Sequence, residues 1–138
     1  MTVWSVDTSA WHHSSDLIVA SRWRTALEAD RVAICDQVRL EILFSARSAE
    51  DYDALAEELG GLRMIRTDAT AFQRALDVQQ RLAWAGGLHH RSVKIADLLI
   101  AAASEAAGAV VWHYDADFDR IGAVTGQPTE WIAPRGSL

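Results

Sequence analysis

Four aspartates carry the chemistry that this sequence offers. Asp97 stands in a nearly all-apolar stretch, Ile95-Ala96-Asp97-Leu98-Leu99-Ile100-Ala101, which leaves it little solvent face. An ionised carboxylate there is costly unless a cation or hydrogen-bond donors meet it. Asp115 and Asp117 form an acidic turn shortly after the apolar run Ala109–Trp112. Asp7 follows another apolar run, Val3–Val6, with the hydroxyls of Thr8 and Ser9 beside it. Carboxylates gathered in one place repel one another, so one of them should hold a raised pKa unless a divalent cation joins them. Oxygen donors with no Cys or His in register point to Mg2+ or Mn2+ and not to zinc. Phosphodiester hydrolysis uses such an ion, which lowers the pKa of water and stabilises charge on the phosphoryl and leaving oxygens.

Each carboxylate also has a plainer use. Asp7 could serve only as a helix N-cap. Asp115, Asp117 and Asp119 could neutralise a helix N-terminus. Glu41 stands alone among Leu40, Ile42, Leu43 and Phe44, on what could be a solvent face. Asp97 is the hardest to assign to structure alone.

The elements that must position these groups alternate between strand and helix. Val3–Val6, Val32–Cys35, Leu62–Ile65, Ala109–Trp112 and Thr129–Ile132 read as short strands. Helical spacing of apolar residues predicts helices over Leu17–Ala29, Val38–Phe44, Ser48–Leu59, Ala69–Ala85 and Ile95–Ala107, with a shorter one over Phe118–Ala123. Asp36, Thr67, Asp68 and Ser14 or Ser15 are candidate N-caps, and Gly60-Gly61, Gly86-Gly87 and Gly108 are stops. Such alternation implies an α/β fold with a mainly parallel sheet of four to five strands flanked by helices. In open sheets of this kind sites gather beyond the carboxyl ends of the strands. The aspartates therefore converge if the first and fourth strands are neighbours.

Composition narrows the class further. The 138 residues suit one domain, 1–138, large enough to bury a real core. Half the residues are apolar and 23% charged, which is globular rather than disordered. A net charge of −6 argues against binding nucleic acid through a bulk positive field. Twelve of the 13 basic residues are Arg, the side chain suited to bidentate phosphate contacts, and Lys94 is the one lysine. The lone Cys35 excludes an internal disulfide and fits a reducing cytoplasm. No membrane span is expected, because no run of about 18 apolar residues exists. No signal peptide is expected either, since no basic n-region precedes the first strand.

At this point the residues resemble a known family. Asp7-Thr8-Ser9 after the first strand is similar to the opening of a PIN-domain nuclease, and Glu41 in Arg39-Leu40-Glu41-Ile42-Leu43 to its second acidic position. Ala96-Asp97-Leu98-Leu99-Ile100-Ala101-Ala102 resembles the third, and His113-Tyr114-Asp115-Ala116-Asp117-Phe118 the fourth. Length and motif order resemble the VapC toxins of toxin–antitoxin pairs. The resemblance implies a three-layer PIN-like nuclease domain and a Mg2+-dependent endoribonuclease, with RNA (tRNA among the candidates) as substrate. It also implies a cognate VapB-type antitoxin and a homodimer. It makes Asp7, Glu41, Asp97 and Asp115 the acidic quartet, with Asp117 an additional candidate. Asp7 and Asp97 would be direct metal ligands, Asp115 and Asp117 would complete the shell or act through water, and Glu41 would hold a second ion or orient the attacking water. Thr8 or Ser9 would support a carboxylate or a water, and Lys94 and Arg91 would lie nearest the scissile phosphate. His113, where many relatives carry Thr, is expected to pack.

Six tryptophans complete the inventory. Trp4, Trp112 and Trp131 fall in strands and read as core, while Trp11 and Trp23, with Arg22 and Arg24, could form an exposed partner or RNA patch. His12-His13 and His89-His90 read as surface loops. Two rival functions remain open at this level. A receiver-like or other phosphate-signalling domain with a Mg2+ pocket would need Asp68 as its phosphorylated residue. A non-catalytic binding module would use the acids structurally.

Overall fold

The computed structural model describes residues 1–138. In chain order the elements begin β1 (Trp4–Val6), α1 (Thr8–His12), α2 (Leu17–Glu28), β2 (Val32–Cys35), α3 (Asp36–Phe44), α4 (Ala49–Gly60) and β3 (Arg63–Ile65). They continue α5 (Ala69–Trp84), α6 (His89–Ser92), α7 (Ile95–Ala106), β4 (Val110–His113), α8 (Asp117–Thr125) and β5 (Thr129–Trp131). The five strands form one sheet in the order β3-β2-β1-β4-β5, and every pairing is parallel. The chain thus builds outward from β1 to β3, then returns to lay β4 on the other side of β1. That reversal opens a crevice at the carboxyl ends of β1 and β4, the usual place for a site in such sheets.

Alternation along β1 sends neighbouring side chains to opposite faces. Ser5 faces α7, where Ser104 donates to the Ile100 carbonyl (2.6 Å) and shares a hydrogen bond with the Ser5 hydroxyl (2.6 Å). Trp4 and Trp112 face α2 and, with Ser21, Arg22, Thr25 and Ala26, line a cleft between that helix and the sheet. Helices therefore cover both faces, giving three layers. The expected α/β class and strand count are met, with the sheet wholly parallel.

α7 is the central buried helix. Leu98, Leu99, Ile100, Ala101, Ala102 and Ala103 are all buried, and the helix packs against α5, α8, α3 and the sheet. An apolar surface all round is what such a position requires. Gly108 ends this segment at φ +67°, a conformation that a residue with a Cβ rarely adopts. No helix is long and apolar enough to cross a membrane.

Several local expectations are corrected. Asp36 does not cap α3. It is the first helical residue, and its carboxylate accepts from the Thr67 N–H (2.9 Å) and Arg66 (2.9 Å) across the sheet edge. Asp16, not Ser14 or Ser15, precedes α2. Asp68 does cap α5, accepting from the Ala71 N–H at 3.0 Å. His89 and His90 lie in the single turn of α6 and not in a loop. Trp11 and Trp23 are not an exposed patch: they meet edge-to-face at 5.9 Å and pack against the core. Arg22 is likewise engaged, donating to the Ile132 carbonyl and to Glu130 while its guanidinium lies over Trp112.

Candidate metal centre

Asp7 is the first residue after β1, and the register Val6↔Trp112 sets it beside the end of β4. Its backbone N–H donates to the Trp112 carbonyl at 3.1 Å, which stitches the two strand ends together. The carboxylate caps α1: Oδ1 accepts from the Ala10 N–H at 2.8 Å. The Ser9 hydroxyl, 2.8 Å from both Asp7 oxygens, also accepts from the Tyr114 N–H at 2.9 Å. The N-cap reading of Asp7 is therefore true and incomplete, since capping employs one carboxylate oxygen, while Ser9 ties the carboxylate to the end of β4 through the Tyr114 N–H. Ser9 fixes the direction of that carboxylate. Ser9→Ala should weaken divalent-ion affinity roughly tenfold, as is typical when a ligand's supporting hydrogen bond is removed. Calorimetric titration against the unaltered protein measures this.

From the other side, Asp97 enters on the first turn of α7, and Asp115 on the turn between β4 and α8. Asp7, Asp97 and Asp115 each bring one oxygen into a group whose members all lie within 4.8 Å of one another. Asp7 and Asp97 are buried and Asp115 is half-buried. The Asp115 turn is braced from within: Oδ1 accepts from the Asp117 N–H at 3.0 Å, and His113 Nδ1 accepts from the Asp115 N–H at 3.2 Å. Burial pushes the His113 pKa down to about 4, so the imidazole is neutral and inside the fold, packed on Phe118 and Trp131 as expected.

The electrostatics are those of an acidic cluster short of positive charge. Burial raises the Asp7 pKa to about 6, against the opposing hydrogen bonds from Ala10 and Ser9. Burial, followed by hydrogen bonding and charge repulsion with Asp115, raises Asp97 to about 9. For Asp115 burial acts upward, but the Lys94 ammonium and the Asp117 N–H outweigh it and hold the group below its ordinary value. Asp97 Oδ2 is the one carboxylate oxygen that is buried without a hydrogen-bond partner. A buried oxygen of this kind requires a proton or a cation. Three carboxylate oxygens with no free His or Cys among them match a hard divalent cation.

Asp117 and Glu41 stand outside the three-carboxylate group. Asp117 Oδ2 instead accepts from the backbone N–H (3.1 Å) and the ammonium (3.2 Å) of Lys94. Glu41 is held on α3 by the Thr8 hydroxyl at 2.8 Å and by Gln37 Nε2 at 3.2 Å. Thr8 thus serves Glu41, and Ser9 serves Asp7. Asp119 accepts from the Trp131 indole N–H at 3.2 Å. Gln37 is a support that the sequence reading missed, although its i,i+4 spacing from Glu41 was a usable signal.

Comparison with known proteins agrees with this geometry. Residues 5–124 match the PIN domain family. The chain is 64% identical to Ribonuclease VapC18 of Mycobacterium tuberculosis, covering 99% of both proteins. It is 42% identical to Ribonuclease VapC51 of the same organism, over 96% of this chain and 95% of that one. Among solved structures, the DNA-bound VapBC of Salmonella typhimurium shares the fold, with a TM-score of 0.77 at 18% identity, covering 96% of this chain and 100% of that one. VapBC-5 of Mycobacterium tuberculosis aligns with a TM-score of 0.61 at 26% identity, over 94% and 98%. Acidic cluster, strand order and whole-length relatives lead to one assignment: the chain belongs to the PIN-domain family and, within it, to the VapC branch.

Proposed function

We propose that this chain is a Mg2+- or Mn2+-dependent endoribonuclease, the toxin of a toxin–antitoxin pair, built as one nuclease domain over residues 1–138. The observation that carries the proposal is the Asp7–Asp97–Asp115 cluster with its buried, partnerless Asp97 oxygen. Asp7, Asp97 and Asp115 would hold the ion. When bound, the ion lowers the pKa of water and offsets negative charge on the phosphoryl and leaving oxygens. Glu41, kept in place by Thr8 and Gln37, orients the attacking water or holds a second ion. Asp117 contributes through water or through Lys94. Water attacks phosphorus in line with the departing oxygen, and Lys94 and Arg91 meet the phosphate backbone.

RNA is the substrate class, with tRNA the candidate whose local structure a protein of net charge −6 could read. A VapB-type antitoxin is the cognate inhibitor. Leu40 and Phe44, 66% and 91% exposed, flank Thr8 and Glu41 and supply apolar surface for it beside the site. Phe72, Leu76 and Ile95, exposed along the groove between α5 and α7, supply surface for a homodimer. A lone buried cysteine and an RNA substrate suit the cytoplasm. The receiver-like alternative loses its acceptor, because Asp68 is committed to capping α5.

The test is cleavage of RNA by the purified chain freed of antitoxin. Activity is expected with Mg2+ or Mn2+ and is expected to vanish with chelator. Absence of cleavage with either ion, across tRNA and other structured RNAs, would refute the proposal.

A further inference from the structure

Lys94 is the only lysine in the chain, and its ammonium sits on the acidic cluster. Nζ lies 2.7 Å from Asp115 Oδ2, 3.2 Å from Asp117 Oδ2 and 3.7 Å from Asp97 Oδ2. The last of these is the buried oxygen that has no hydrogen-bond partner. Lys94 is therefore in contact with two of the three carboxylates that make up the candidate metal centre, on the side of the oxygen most in need of positive charge. Its own side chain is 64% exposed, so the ammonium reaches in from solvent on a flexible stem. The backbone is fixed by other means: the Lys94 N–H donates to Asp117, and Lys94 is the N-cap residue of α7. Backbone and ammonium are thus separable. The ammonium can leave while the helix start stays in place.

We infer that Lys94 is a tethered counter-ion, whose ammonium neutralises the acidic centre when no divalent cation is present and swings out to solvent when one binds. The inference rests on the proposal that the Asp7–Asp97–Asp115 cluster binds a divalent cation. Its physical basis is mutual exclusion. An ion held by these carboxylates at about 2.0–2.1 Å would lie within a few ångströms of the ammonium, a like charge drawing on the same Asp97 and Asp115 groups. A compact, strongly hydrated ammonium is readily returned to water, unlike a stacked or bidentate guanidinium. The tether makes the competitor intramolecular, so it acts at high effective concentration at every protein concentration. Binding then has a built-in threshold: free divalent ion must be high enough to displace Lys94.

The test is calorimetric titration of the antitoxin-free protein with Mg2+, and separately with Mn2+, in the absence of RNA, on the unaltered chain and on Lys94→Met. Thermal melting with and without the ion is measured alongside. Met keeps the length of the stem and the backbone N–H but removes the charge. Lys94→Met should bind the ion at least about tenfold more tightly, because a unit charge within ~4 Å of a divalent ion is gone. The stabilisation on adding the ion should be larger than in the unaltered chain. The gain should persist at about 0.5 M salt, where the Debye length is roughly 4 Å, because direct competition is not screened as a distant field would be. Binding by Lys94→Met alone would support the inference most strongly. Equal or weaker binding by the variant overturns it while leaving the metal centre intact. Binding by neither protein overturns both.

Discussion

Asp97→Asn is expected to abolish metal-dependent RNA cleavage while leaving the cation-free fold at least as stable as before. The two halves of that result come from the same oxygen. Asp97 enters the cluster from a helix that is buried almost entirely, and its Oδ2 has no donor. In the folded chain the carboxylate can be satisfied only by a proton shared toward Asp115 or by a cation. Asn is nearly isosteric, and its amide N–H can donate to Asp115 with no proton taken up from solvent. The fold gains a hydrogen bond where carboxylates crowd, and the candidate centre loses one of its three carboxylates. Loss of supporting groups around a metal typically costs 10–100-fold, so loss of a ligand should reduce cleavage by at least about a hundredfold. Melting temperature measured in chelator should be unchanged or higher. Cleavage within about threefold of the unaltered chain would exclude Asp97 from the centre, since ligand loss cannot cost less than the loss of its support. Marked destabilisation would instead make Asp97 a structural acceptor.

Asp97 was legible in the sequence because a charge in an apolar helix is an anomaly that local composition exposes. The strand pattern was legible for the same local reason, and with it the convergence of Asp7 and Asp115, provided that β1 and β4 paired. That pairing itself is set by the return of the chain across the sheet, and no short-range signal encodes it. Asp36 shows the opposite case. Its position before a helical run fits an N-cap, but Arg66 and Thr67, some 30 residues away, claim its carboxylate. Helix α1, five residues long, is too short for any apolar period to declare itself. Trp11 and Trp23 lie in polar company along the chain and become inward-facing only once α2 covers the sheet. Glu41 was ambiguous for a related reason, since its partner Thr8 is 33 residues distant. The contact of Lys94 with Asp115 spans 21 residues and depends on both α7 and α8 being in place. Local chemistry thus identified the carboxylates, while long-range topology decided which of them come together.

A second large effect is expected in the stability of the cation-free protein as a function of pH. Asp7 and Asp97 have folded-state values raised to about 6 and about 9 from an ordinary 3.8, chiefly by burial. An acid with a raised value binds more protons folded than unfolded across that interval, so stability falls as pH rises. Each contribution is fully present below the unfolded value and is lost as pH climbs through the folded one. His113 works in the other direction: lowered to about 4 from 6.5, it adds stability as pH rises between those values. The two trends offset each other in the acid range. Between pH 7 and 9, however, His113 is neutral in both states, Asp7 is largely ionised, and Asp97 is the group of these three still losing its proton. The melting temperature in chelator should therefore decline across that window, at a slope of at most roughly 1.4 kcal/mol per pH unit. Saturating Mg2+ should remove or reverse the decline, because the ion stabilises the folded state by mass action and competes with the same proton. Asp97→Asn should flatten the curve in chelator and abolish most of the response to Mg2+. A flat profile for the unaltered protein, or an identical decline in the variant, would show that Asp97 is already ionised and balanced in the cation-free fold. The burden of charge would then rest on Lys94 alone, whose ammonium is the only side-chain cation within salt-bridge distance of Asp97 and Asp115.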